Sequence, residues 1–167
     1  ELLRFVTFIR EFADAEHHGK EEEILFKTMV EAGFPSDGGP IAVMLLEHDE
    51  GRAHVRALAE LGQQEGAWTD QDRQAIAEEG LGYASLLRGH IHKEDAILYP
   101  MAEARLPEAV ARRVDEACEA FDAERRARGE AQRGPADLAE EIPAAKEDGV
   151  QARDPQRQED GGHALRL

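Results

Sequence analysis

Two ten-residue segments, HHGKEEEILF at 17–26 and HIHKEDAILY at 90–99, repeat one pattern of histidine, lysine, glutamate, a second acid, Ile-Leu and an aromatic residue. Each sets a histidine four residues before a glutamate: His17 before Glu21, and His90 before Glu94. On an α-helix that spacing means about 6 Å of rise and only about 40° of rotation, so an imidazole nitrogen and a carboxylate oxygen can reach one ion. A single pair of this kind is most often a surface helix contact. Two copies, each running into an apolar stretch that draws the adjacent turn into a core, change the reading. A histidine and a glutamate at the margin of a core need a charged partner to offset their desolvation. Imidazole with carboxylate, and no thiolate, suits iron or manganese better than a structural zinc cage, although affinity order alone also admits zinc or copper. Iron is the expected metal.

Aligning the two segments sets His18 opposite Ile91 and His92 opposite Gly19, so His17 and His90 are the shared pair. His18 is then expected to be solvated or to stand beside the site, with a spare-ligand role as the alternative, and the same holds for Glu22 and Asp95. A third histidine, His48, lies in Leu46-Glu47-His48-Asp49-Glu50 on an apolar stripe with Leu45 and Val55. Alone it reads as a core histidine; beside two clamps it becomes the next ligand, and Gly51 leaves room next to it. The expected metal ligands are therefore His17, Glu21, His48, His90 and Glu94. His54 and His92 are expected at the surface, His163 in solvent, and Cys118 packed as a small apolar residue.

These residues must be carried by helices. Leu2, Phe5, Phe8, Ile9 and Phe12 recur at three- and four-residue steps and lead through Ile24–Val30 to Gly33, Phe34 and Pro35, which predicts a helix over about 2–32. Pro40 near a helix start, with Ile41, Met44, Leu45, His48, Val55 and Leu58 on one face, predicts a second that ends near Gly66. Thr69 with Asp72 resembles a capping box opening a third, with Ile76, Leu81, Leu86, Leu87, Ile91, Ile97 and Leu98 apolar and Pro100 weakening or ending it. A fourth, from Pro107 to Arg128, has a narrow stripe through Val110, Val114, Ala117, Cys118 and Phe121. It is expected either to complete the bundle or to pair with a second copy as a homodimer. From Gly129 the prolines at 135, 143 and 155 and mixed charges predict a disordered tail. The division is thus 1–106 metal-binding helices, 107–128 a C-terminal helix, and 129–167 tail.

Composition agrees with an all-α chain: of 167 residues 41% are hydrophobic, enough for one core. The net charge of −16 would be repelled by nucleic acid or an anionic membrane, which leaves cations as the better partners. One cysteine excludes an internal disulfide framework or a thiolate metal cage and fits a reducing cytoplasm. No apolar run reaches membrane-spanning length and no basic stretch followed by an apolar one opens the sequence, so a protein that is not exported is expected.

In order and spacing these motifs resemble the bacterial hemerythrin-like group, the HHE cation-binding domain, over about residues 1–106: His17 to Glu21, a lone His48 in an acidic stretch, then His90 to Glu94 leading to Tyr99-Pro100. The resemblance implies an up-and-down antiparallel four-helix bundle around two iron ions, bridged by an oxygen atom and by Glu21 and Glu94, with the histidines capping the metals. It also implies that the family's usual first helix, which donates a histidine, is missing ahead of Glu1. Oxygen carriers of the family have a further histidine where this chain has Arg52, a cation tolerable beside a metal only with a carboxylate between them. The reduced ligand set points to sensing of dioxygen or nitric oxide, iron storage or iron homeostasis rather than oxygen transport. A di-iron enzyme of peroxide handling or iron–sulfur repair is the alternative, and a metal-free helical interaction module the third.

Overall fold

In this computed structural model, which describes residues 1–129, the chain forms four helices with no strand among the described residues. Helix α1 covers residues 2–31, α2 is Gly39–Gly62, α3 covers residues 70–105, and α4 is Glu108–Ala127. Short turns at 32–38, 63–69 and 106–107 make consecutive helices antiparallel, as the loop lengths demand. The tail read from the sequence lies outside the described residues from 130 onward. No helix among the described residues is long and apolar enough to cross a membrane.

The start and stop signals act locally as their chemistry requires. Thr69 caps α3 by accepting the Asp72 N–H, while the Asp72 carboxylate accepts the Thr69 N–H at 2.8 Å. Gly33 terminates α1 at φ of 92°, a region that costs a side-chain-bearing residue dearly, whereas α2 already ends at Gly62 and Gly66, at φ of 97°, turns the chain four residues beyond. Pro100 does not end α3. It opens the α-helical stretch Tyr99–Arg105 directly after a wide, π-type stretch, Glu94–Leu98, where the missing proline N–H is absorbed.

Wide turns recur where the sequence repeats. The π-type stretches are Ile9–His18 and Glu21–Leu25 in α1 and Glu94–Leu98 in α3. The last two are the same five positions of the two repeats, EEEIL and EDAIL, so the repeated sequence encodes a repeated backbone irregularity that starts on the clamp glutamate. Such insertions concentrate at functional sites because they re-aim side chains that a regular helix would stack.

The core has two apolar layers. One joins Leu25, Phe26 and Met29 of α1 with Met44 of α2, Leu98 of α3 and Val114 and Cys118 of α4. The other joins Val6 and Ile9 with Val55, Leu58 and Tyr83. Each fully buried side chain of this size contributes about 1.5–3 kcal/mol through lost water contact. Helix α4 therefore packs on the bundle through the stripe expected of it, and a partly buried ion pair, Lys20 Nζ to Asp122 at 3.3 Å, ties it to α1. Several residues assigned to apolar stripes face outward instead: Leu45, Leu81, Ile91 and Ile97 are 37–70% exposed. Three- and four-residue steps include positions at the stripe's edge, and in α3 the wide stretch shifts the phase beyond residue 93.

Candidate metal centre

Between the two apolar layers lies a polar one. His18 and Glu21 come from α1, His48 from α2, and His90 and Glu94 from α3, and all five are buried. Glu21 is fully enclosed, and His48 and His90 are 1% and 3% exposed. One ligand atom each from Glu21, His48, His90 and Glu94 lies within 4.8 Å of the others, and His18, His48 and His90 form an overlapping group.

The hydrogen bonds fix how these side chains point. His48 Nδ1 lies 2.7 Å from Glu22 Oε1, and His90 Nδ1 lies 3.1 Å from Glu47 Oε2. A carboxylate only accepts, so in each ring Nδ1–H donates and Nε2 is left to face inward. The two Nε2 atoms are 3.2 Å apart, with Glu21 Oε2 3.3 Å from that of His48 and Glu94 Oε1 2.9 Å from that of His90. Neutral rings would set two lone pairs and two carboxylates against one another, so positive charge is required between them. Glu21 Oε2 and Glu94 Oε1 are buried without a hydrogen-bond partner among the described residues, while His18 Nδ1 faces Asp14 Oδ1 at 3.4 Å. Such orphaned acceptors in a closed layer are what a cation satisfies, and the donor set of imidazole and carboxylate fits one.

The titration behaviour carries the same demand. Burial works against charge on Glu94, yet contacts with His17 and His90 outweigh it and hold the carboxyl far below its usual range. Burial likewise opposes protonation of His90 and His17, but their contacts with Glu94, aided by Glu47 and Glu21, raise both above the usual imidazole value. His18 is pushed down, first by burial and then by the neighbouring His48. A bound cation would supply the charge these carboxylates attract and displace the imidazole protons.

Around the centre stands a supporting ring. Tyr99 Oη–H donates to Glu21 Oε1 at 2.9 Å, and burial with the charges of Glu21 and Glu94 keeps the phenol neutral. Glu47 is anchored by Lys93 at 2.7 Å. Arg52 donates to Glu22 Oε1 at 2.7 Å, to Asp14 through Nε at 2.8 Å, and to Asp49. Glu22 thus stands between Arg52 and His48, the intervening carboxylate that a cation at position 52 requires. Burial opposes the charge on Asp14, but the contact with His18 at 3.4 Å and the hydrogen bond and charge of Arg52 prevail and hold its pKa at about 2.

The structure thus brings together four of the five expected residues, Glu21, His48, His90 and Glu94, and sets the fifth at the edge. His17 is 34% exposed, with Nε2 3.5 Å from Glu94 and 3.9 Å from Glu21. His18, set aside by the alignment, is instead buried, its ring stacked on His48 at 3.7 Å and 11°. The cause is local: His17 and His18 end a π-type stretch, whereas His90 lies in the regular α-helical stretch Asp70–Lys93, so matching letters do not occupy matching angular positions. The sequence reading also missed Glu47 and Tyr99. The need of each ligating imidazole for an acceptor on its second nitrogen was the available signal for Glu47, the acid beside His48. His92 is exposed, as expected, while His54 is half-buried against Glu79 at 2.7 Å.

Residues 1–102 match the hemerythrin family, described as the hemerythrin HHE cation binding domain, and the chain belongs to that family. Neither the curated proteins nor the solved structures provide a match.

Proposed function

We propose that this chain binds non-haem iron, as a di-iron centre, and uses it to sense dioxygen or nitric oxide or to hold iron for cellular balance in the cytoplasm. The observation that carries the reading is the convergence of two inward imidazole nitrogens, 3.2 Å apart, on two buried carboxylates with unpaired oxygens. Family membership supports cation binding in general. The choice of iron rests on the nitrogen and oxygen donors without thiolate, which also suit manganese.

In this reading Glu21 and Glu94 supply the negative charge, and His48 and His90 supply neutral nitrogen donors. Glu22 and Glu47 hold those rings in the required tautomer, Tyr99 fixes the Glu21 carboxylate, and the adjacent apolar layers exclude water. Iron, when bound, supplies electrons and open coordination positions to a diatomic gas. His17 and His18 are the two histidines near enough to add a donor, one from the solvent side and one from beneath His48.

The test is metal analysis of protein from iron-replete cells, followed by visible spectra of the reduced iron form under argon, dioxygen and nitric oxide. Stoichiometric iron and gas-dependent absorption are expected. Protein without iron or manganese, and with stability unchanged by chelator, would leave only a metal-free interaction module.

A further inference from the structure

Beside the polar layer, between α1 and α2 and floored by α3, lies a cavity of about 320 Å³. It has an apolar side formed by Ile9 and Val55, and its deep end reaches buried His18 and Tyr83. Gly51 also lines that end, where an added Cβ would meet the Tyr83 ring at 3.5 Å, an ordinary contact distance. Three arginines also line it: Arg10, Arg52 and Arg56. In a chain of net charge −16 this local excess of guanidinium is out of keeping with the whole.

The charges around the cavity separate into two sets. Arg52 is committed, bound to Asp14, Glu22 and Asp49, and Asp14 is the one carboxylate in the lining. Arg10 and Arg56 are exposed and make no ion pair among the described residues. With Asp14 paired to Arg52 and facing His18, the cavity presents two uncommitted positive groups at its mouth and an apolar wall within. At its floor are a phenol, pushed up to about 12 by burial and the Asp14 charge and so available as a neutral donor, and the buried His18, whose Nδ1 faces Asp14 Oδ1 at 3.4 Å.

We infer that this cavity is a binding site for a small organic carboxylate, its anionic end held by Arg10 and Arg56 and its apolar body lying against Ile9 and Val55. The volume is at the lower end of the range for small-molecule pockets, roughly 300–1,000 Å³, which limits the ligand to a few carbon atoms beyond the carboxylate. Guanidinium groups favour carboxylates through paired, charge-assisted hydrogen bonds. Because His18 stacks on His48, an occupant at the deep end is separated from the proposed metal ligands by one imidazole ring. The site needs no metal for binding and stands or falls separately from the iron reading.

The test uses the full chain, metal-free and iron-loaded, titrated calorimetrically with isobutyrate and with the uncharged isobutyramide. Saturable binding of isobutyrate in both forms is expected, at least about tenfold tighter than the amide. An Arg10→Gln/Arg56→Gln double variant, checked for unchanged helicity by circular dichroism, should bind isobutyrate at least about tenfold more weakly. Should the double variant fold poorly, Arg56→Gln alone serves, with a smaller loss in the same direction. Equal affinity for acid and amide, unaltered binding in a folded variant, no saturable binding, or binding confined to the iron-loaded form would each overturn the inference.

Discussion

Replacing Glu21 with glutamine should stabilise the metal-free protein and destabilise the metal-loaded one relative to wild type. Glu21 is fully enclosed, and Oε2 has no hydrogen-bond partner although it lies 3.3 Å from the inward nitrogen of His48. Leaving a buried polar acceptor unpaired costs about 1–3 kcal/mol, and more when it is charged. Glutamine keeps an oxygen for the Tyr99 hydroxyl and puts an amide N–H where the orphaned oxygen stands, facing an imidazole lone pair. A gain of about 2 kcal/mol in the metal-free state follows, which at this chain length raises Tm by roughly 4–8 °C. With metal at about a hundred times its Kd, wild type gains about 2.7 kcal/mol while a variant that has lost a ligand gains little, so the order of the two proteins reverses. Differential scanning calorimetry with chelator and with ferrous iron under argon reads both halves. A Glu21→Gln protein less stable than wild type in chelator, with the same metal-induced shift, would refute the reasoning.

Three further outcomes follow from the same geometry. His90→Ala should lower metal affinity at least about tenfold, whereas His92→Ala, at an exposed position two residues on, should load normally; equal loading measured by elemental analysis would remove His90 from the centre. Lys20→Ala should cost about 1 kcal/mol in urea unfolding, since it removes the partner of the partly buried Asp122 carboxylate on α4; a change within about 0.3 kcal/mol would show that the pair does not hold that helix. Cys118 is 2% exposed and its thiol is pushed up to about 11 by burial, so at pH 8 only about one molecule in a thousand carries thiolate. Labelling by a thiol reagent should therefore be slow in the folded protein and fast in denaturant, and rapid labelling of native protein would contradict the packing.

The clamps were legible because they are local: a four-residue spacing on a helix, stated twice, next to an apolar run that must be buried. That sufficed to single out Glu21, His90 and Glu94, and an apolar stripe with one histidine in it sufficed for His48, the four side chains that the structure brings together. The choice between His17 and His18 was not legible in the same way. It depends on wide turns that change the residues per turn, and the repeat shares those turns only from the glutamate onward. Pro100 misled for the same reason, because a proline stops a regular helix but is absorbed after a wide turn. Partners far apart in sequence, such as Lys20 with Asp122 or Tyr99 with Glu21, are set by packing of whole helices, and no local pattern specifies them.

Anomalous diffraction at the iron edge from crystals of the iron-loaded chain is the most direct measurement. The account predicts strong signal within bonding distance of His48 Nε2, His90 Nε2 and the carboxylate oxygens of Glu21 and Glu94. Iron found only elsewhere, with those four side chains still packed against one another, would contradict it.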